Sequence, residues 1–497
     1  MEVCMQNSIF SFCLCKENIN NNATNCFKNS EIIGGYTLYT DSRTPLQYAE
    51  LNGRELIIFG YAADVFSGQS KGLAEAVLKS TQSLDEVIEY ERRLGGKYII
   101  FYAENGKCFC IGDATCSIPM FYNTDGEDFV CSSFLRLIVK RFGFEKDKYL
   151  QQIRDSAPLN QAMPYDVTPY KEIKQLIPNH YLDFNEKKAV RFVNSHKKQE
   201  KISPKKAAEI TAPMIEKITE MYLSEFKIYC PLTSGRDSRV VYAFLDMISG
   251  SEVQSYTVWQ ERFKTDSQDW DIPVLLAKQK NYPHEQIYQC DNSDSYRDEM
   301  NRILGEKGYP DEPFKLAVTL NKHYGNGAVC EGDIIGQVGK CSLHRNIPIF
   351  LASPAYFRCK LHNYSYGAKK LLKKWMKEIK AGGERVNVFD LFSVENRLGR
   401  WAAQTHLIHN TIGQPYLNIF NSRSIIYVWT SVDRAGRMKS EIHVELIKKT
   451  APELLEVPFE KDKSGLVNLA KSNALIFYLA SYMKFFVQKI QFILKSK

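Results

Sequence analysis

Seven consecutive residues, Leu232-Thr233-Ser234-Gly235-Arg236-Asp237-Ser238, combine three hydroxyls, a glycine, a guanidinium and a carboxylate. They join a strand-like run over 226–232 to a helical run over 237–247. Backbone N–H groups at a helix N-terminus have no partner within the helix. Small hydroxylic residues let a ligand come close to those donors, so such a turn can bind phosphate or pyrophosphate. A carboxylate inside it would repel phosphate unless a cation lies between them, so Asp237 points to Mg²⁺ bridging a polyphosphate. The same residues and spacing also fit an ordinary βα turn capped by Asp or Ser. Taken alone, the loop leaves both readings open.

The elements that must position this loop follow from the pattern around it. Up to about residue 190 the chain is β-rich, with apolar and aromatic runs at 55–60 and 97–102. Asn105-Gly106 predicts a tight hairpin because both residues tolerate positive φ, and Asn123-Thr124-Asp125-Gly126 predicts another. A helical stretch at 71–81 makes this half α+β. The polar segment 195–204 reads as a linker. Beyond it, helices are expected at 205–223, 237–247 and 270–279, and strands at 226–232, 253–259, 284–289 and 327–330. That alternation predicts an α/β doubly wound parallel sheet. After Ala355 the chain reads as mostly helical. The terminal segment 474–497 reads as a core-packed helix rather than an interfacial one.

Composition narrows the function classes. The 497 residues are 44% hydrophobic and 25% charged, which excludes a disordered or fibrous chain. Lys+Arg 65 against Asp+Glu 57 gives +8, suited to anionic small ligands but too dilute for a nucleic-acid binder. No apolar stretch reaches 18 residues and the start lacks a signal-peptide pattern, so a cytoplasmic protein without membrane contact is expected. The 13 cysteines include the pairs Cys13/Cys15 and Cys108/Cys110, without the His cluster that a zinc site needs, and are expected to be reduced thiols.

The loop resembles the pyrophosphatase loop of the asparagine synthetase family, S-G-G-x-D-S, with Thr233 and Ser234 replacing the first Ser and Gly. Leu94-Gly95-Gly96-Lys97-Tyr98, followed by the stretch from Asp113 to Pro119 and Tyr122, resembles that family's glutaminase-type domain. The stretch from Thr168 to Leu182 is similar to its junction segment. Asp269, Ala277 and His284 are similar to the D…A…H that follows its second strand. Cys330-Glu331-Gly332-Asp333 is similar to its G-E-G-x-D-E, and Gln414-Pro415-Tyr416-Leu417-Asn418 to its P-F-L-D. These motifs occur in family order between about residues 94 and 460.

The resemblance implies a glutaminase-like α+β sandwich over 1–195 and an ATP-pyrophosphatase domain over 204–497. It also implies an AMP- and pyrophosphate-forming ligase that uses ATP and Mg²⁺ to join a small carboxylate to ammonia or an amine, with a homodimer allowed. Asp237 and Asp333 would hold Mg²⁺, and Leu232, Thr233, Ser234, Gly235, Arg236, Asp237 and Ser238 would form the nucleotide loop. Glu331 would serve as base, and Lys439 would meet pyrophosphate, with Lys448 and Lys449 behind it. Two departures stand out. Glu2 occupies the position of the family's nucleophilic cysteine, so glutamine hydrolysis is not expected unless processing exposes Cys4. The spacing from Glu331 to Asp333 is one residue short. A relative with an internal amine, such as a macrocyclase or β-lactam synthetase, and a non-catalytic nucleotide-binding scaffold are the alternatives.

Overall fold

The structure is a computed structural model that describes residues 8–16, 27–158, 163–192, 200–250, 253–264, 267–290, 298, 301, 311–325, 327–382, 386–459 and 473–495. Met1, Glu2 and Cys4, and residues 195–199 of the linker expected over 195–204, lie outside them.

Among the described residues twelve strands form the first part: β1 (Phe12–Cys15), β2 (Asn29–Ile33), β3 (Tyr36–Thr40), β4 (Leu46–Leu51), β5 (Arg54–Asp64), β6 (Leu94–Glu104), β7 (Lys107–Gly112), β8 (Phe121–Asn123), β9 (Val130–Ser132), β10 (Ile173–Gln175), β11 (His180–Asp183) and β12 (Lys188–Arg191). Two antiparallel sheets result, in the orders β10-β8-β9-β1-β3-β2 and β12-β11-β7-β6-β5-β4. Alternate residues of a strand point to opposite faces. Ile57 and Phe59 of β5 therefore turn inward, where Phe12 of the other sheet meets Phe59 edge-on. Leu56 and Ile58 turn outward, beneath helices Leu73–Ser80 and Leu84–Glu91. The expected Asn105-Gly106 hairpin joins β6 to β7, with φ of 50° and 72° at its two residues.

Ser203 caps helix Pro204–Glu225, which leads into β13 (Ile228–Pro231). With β14 (Gln254–Val258), β15 (His284–Ile287), β16 (Ala328–Cys330) and β17 (Tyr416–Leu417) it forms a parallel sheet in the order β15-β14-β13-β16-β17. Both faces are covered, and period two again sorts the side chains. Ile228, Cys230, Cys330 and Leu417 join the core beneath Ile215, Val240 and Leu446, whereas Tyr229, Val329 and Tyr416 pack with Leu320 and Tyr324. The two parts of the chain meet at Gly96, whose N–H donates to the Asn421 carbonyl at 2.9 Å. Its φ is 128°, and a Cβ at this position would stand only 2.2 Å from the Tyr61 carbonyl oxygen, so only glycine fits this junction.

One element is unexpected and one expectation needs correction. The sequence does not predict β17, because two residues are too few to show a pattern. The terminal helix, Ala474–Lys495, is not core-packed: Phe485 is its only fully buried side chain. Large apolar residues between Leu475 and Leu494 stay exposed along the helix, while Tyr356 and Tyr364 cover only its other side.

Candidate functional site

Strand order reverses between β13 and β16, and ligands of open α/β sheets bind at the carboxyl ends beside such a reversal. The loop 232–238 follows β13, and Glu331-Gly332-Asp333 follows β16, so both lie at that point. They touch there: a Cβ on Gly332 would stand 3.0 Å from the Asp237 carbonyl oxygen.

Leu232 is buried, and its N–H extends the sheet to the Tyr256 carbonyl at 2.8 Å. The next three amides are closed by side chains. Thr233 N–H donates to Ser238 Oγ at 3.0 Å, and Gly235 N–H to Thr233 Oγ1 at 3.2 Å. The N–H and hydroxyl of Ser234 both donate to Asp269, at 3.1 and 2.6 Å. Asp269 sits in the first turn of helix Gln268–Lys280, so the second strand's helix braces the loop. Helix Arg236–Ser249 begins at Gly235, which offers no side-chain cap. Arg236 and Arg239 both lie over the Phe459 ring, at 4.4 and 4.2 Å. Buried Arg239 also donates to the carbonyls of Leu454 and Val457, which ties that segment to the loop.

The Asp237 carboxylate accepts a 2.8 Å hydrogen bond from His443 Nε2 and is 37% exposed. Its other oxygen lies over Gly336, where a Cβ would come within 2.7 Å. Burial opposes ionisation, but the His443 hydrogen bond and the charges of His443, Lys340 and Arg236 outweigh it and hold the carboxyl below its ordinary range.

The acids after β16 have different surroundings. Burial first, and then the Asp333 charge, push Glu331 up to about 7 against a hydrogen bond from Tyr416. Burial also pushes Asp333 up to about 6, against hydrogen bonds from Asn418 and the Ile334 N–H and the charge of Lys97. Asn418 Nδ2 donates to Asp333, and His406 Nε2 lies 3.9 Å from its other oxygen. Lys97 reaches in from β6 to the Tyr416 carbonyl at 2.9 Å and His406 Nδ1 at 3.3 Å. Burial lowers it to about 7. Glu331 and Asp333 thus stand together on the Tyr416–Asn418 side, while Asp237 faces His443.

Lys439 ends helix Arg434–Met438, is 69% exposed and has Glu441 at 3.9 Å. The chain reaches the loop one turn later, through His443. Lys448 pairs with Glu445 at 2.7 Å. Sequence reading missed His443, Lys97 and His406. Two of them carried a signal: His443 shares a helix face with Leu446 and Ile447, and Lys97 interrupts an apolar strand. A polar group in an apolar row implies a buried partner. Cys13, Cys15, Cys108 and Cys110 are buried free thiols on β1 and β7. Among the described residues no three His, Cys, Asp or Glu side chains converge as a metal site.

No family model matches the chain, and no curated protein matches it in sequence. Among solved structures it is similar to a glutamine-dependent NAD+ synthetase from Acinetobacter baumannii in complex with ADP, at 16% identity over 39% of this chain and 42% of that one, TM-score 0.21. A glutamine phosphoribosylpyrophosphate amidotransferase from B. subtilis, complexed with ADP and GMP, aligns at 11% identity over 69% and 73%, TM-score 0.24. An allosteric regulatory enzyme of purine biosynthesis aligns at 9% over 62% and 84%, TM-score 0.25. This chain spans less than half of the NAD+ synthetase's length.

Proposed function

We propose that the chain is an ATP-dependent amide-forming ligase of asparagine synthetase type, with a glutaminase-like domain over 1–195 and a synthetase domain over 204–497. The observation that supports it best is the meeting of the 232–238 loop with Glu331 and Asp333 at the reversal point of the parallel sheet. In the proposed reaction a substrate carboxylate oxygen attacks the α-phosphorus of ATP, and the bond to the β-phosphate oxygen breaks to release pyrophosphate. Ammonia or an amine then attacks the acyl carbon, AMP leaves, and Glu331 takes the amine proton. A carboxyl group poised near 7 suits that role at neutral pH. The amides of Arg236, Asp237 and Ser238 at the helix start, with the side chain of Arg236, face the phosphates. Lys439 is the proposed cation for departing pyrophosphate.

Asp237 fits a Mg²⁺ shared with phosphate oxygens, because it is ionised, part-exposed and in the first turn of its helix. Asp333, bound by Asn418 and raised to about 6, fits less well. When bound, the cation would neutralise charge growing on the pyrophosphate. One arrangement favours a second reading, the nucleotide-binding scaffold: His443 already pairs with Asp237, and Asp269 already takes the Ser234 amide. Exchange of labelled pyrophosphate into ATP, run with full-length protein, Mg²⁺ and a panel of carboxylic acids, separates the two. At least one acid should drive exchange and yield an amide with ammonia or an amine. ATP binding without exchange across the panel would leave only the scaffold.

A further inference from the structure

Helix Ala474–Lys495 is mounted on the protein with its apolar side outward. Its inner side is held by specific contacts: Tyr478 stacks on Tyr356 at 5.2 Å, Ser481 accepts from Lys360 at 2.8 Å, and Gln488 meets His362 at 3.0 Å. Phe485 is buried beside Tyr364. Nine large apolar side chains between Leu475 and Leu494 are nonetheless exposed, with Met483 at 70% and Leu494 at 68%. At about 100° per residue they all fall within one arc of about 120° opposite Phe485, and no polar residue falls inside it. A surface helix of a water-exposed protein shows the reverse arrangement. The turn Ile349–Leu351, whose Leu351 packs into the same cluster as Phe477 and Tyr482, also exposes Ile349 and Phe350. A contiguous apolar surface of this kind marks a binding face.

Charge selects the partner. Lys484 and Lys495 border the arc on one side and Lys489 borders it on the other, and 474–495 contains no Asp or Glu. Helix Tyr366–Ala381, which packs into the same aromatic cluster, carries six more lysines. Its one acid, Glu378, is taken by His180 and Arg191. A second copy of the chain would set two lysine rims against each other with no acid to pair them. Anionic headgroups match both rims while the acyl layer accepts the arc. No helix among the described residues is long and apolar enough to cross a membrane, so this one would lie in the interface.

We propose that the outward face of helix Ala474–Lys495 docks the protein on a bilayer surface rich in anionic phospholipid. Full-length protein is sedimented with vesicles of phosphatidylcholine alone and with vesicles containing phosphatidylglycerol. Binding should be about ten-fold or more stronger on the anionic vesicles. The double variant Leu479→Asp/Ile490→Asp, which alters only exposed positions, should lose binding to both vesicles with an unchanged melting temperature. The triple variant Lys484→Gln/Lys489→Gln/Lys495→Gln should bind anionic vesicles no better than neutral ones. Absence of binding to either vesicle, equal binding to both, or a dimer in solution that the double variant dissolves would each overturn the proposal.

Discussion

Asp237 and Glu331 follow neighbouring parallel strands, yet their surroundings push them in opposite directions. Asp237 has a buried histidine at 2.8 Å and the charges of Lys340 and Arg236 near it, and it stays ionised. Glu331 and Asp333 face a tyrosine, an asparagine and a lysine that is itself lowered to about 7, and both are held near neutral pH. The sheet edge alone does not set the charge of an acid placed on it. What decides is whether a partner arrives from elsewhere in the chain: His443 arrives for Asp237, whereas Glu331 and Asp333 receive hydrogen bonds but little positive charge. This division suits a site with one carboxylate for a phosphate-bound cation and another for proton transfer.

The largest expected effect tests the ionised side. Asp237→Asn should lower ATP–pyrophosphate exchange by about 100- to 1000-fold, the usual scale for losing one electrostatic contact to a transition state, with little change in melting temperature. Near-normal exchange in this variant would show that phosphate does not sit on the Asp237 side, and the contrast would lose its functional meaning.

A smaller effect should appear in the pH dependence of stability. Native Glu331 and Asp333 keep protons that unfolded carboxyls have already lost above 4.5 and 3.8, so stability should fall as pH rises from those values toward about 7 and 6. Lys97 acts with the opposite sign: its native form loses the proton near 7 and its unfolded form near 10.5, so stability should recover between them. Urea titrations at several pH values should show a minimum close to neutrality. Glu331→Gln should remove part of the fall, on the order of 1–3 kcal/mol. A flat profile in the native protein would mean that these acids are solvated and the two sides alike.

The smallest effect belongs to the Asp237–His443 pair. Because Asp237 is held below 3.8, its contribution is complete above that value and is lost as pH falls through the lower native value. His443→Gln keeps a hydrogen-bond donor but removes the imidazole, and with Asp237 37% exposed the cost at neutral pH should be about 1 kcal/mol or less. Thermal melts should show the gap between native and variant narrowing below pH 3.8. A gap that does not depend on pH would assign His443 a packing role only.

Much of the local structure was legible because it is coded by neighbours in sequence. The Asn105-Gly106 turn, the helix that begins just after the 195–204 segment and the strand-to-helix loop at 232–238 each depend on backbone preferences within a few residues. The short Glu331–Asp333 spacing looked like a choice between two roles. In three dimensions both acids share the Tyr416–Asn418 side, an arrangement set by β17, whose two residues carry no readable pattern.

The sequence by itself determined the strand–helix alternation, the chemistry available in the loop and the apolar character of the last helix. Tertiary structure decided what those groups face. It brought Asp269 to Ser234, His443 to Asp237 and Lys97 across from the antiparallel sheets to the end of β17, over separations of 35, 206 and 319 residues. It also turned the terminal helix so that its tyrosines, serine and glutamine hold the body and its apolar arc faces out. The physical reason is the same in each case. Ionisation and burial depend on distance in space, and no periodicity along the chain records which distant side chain will fill it.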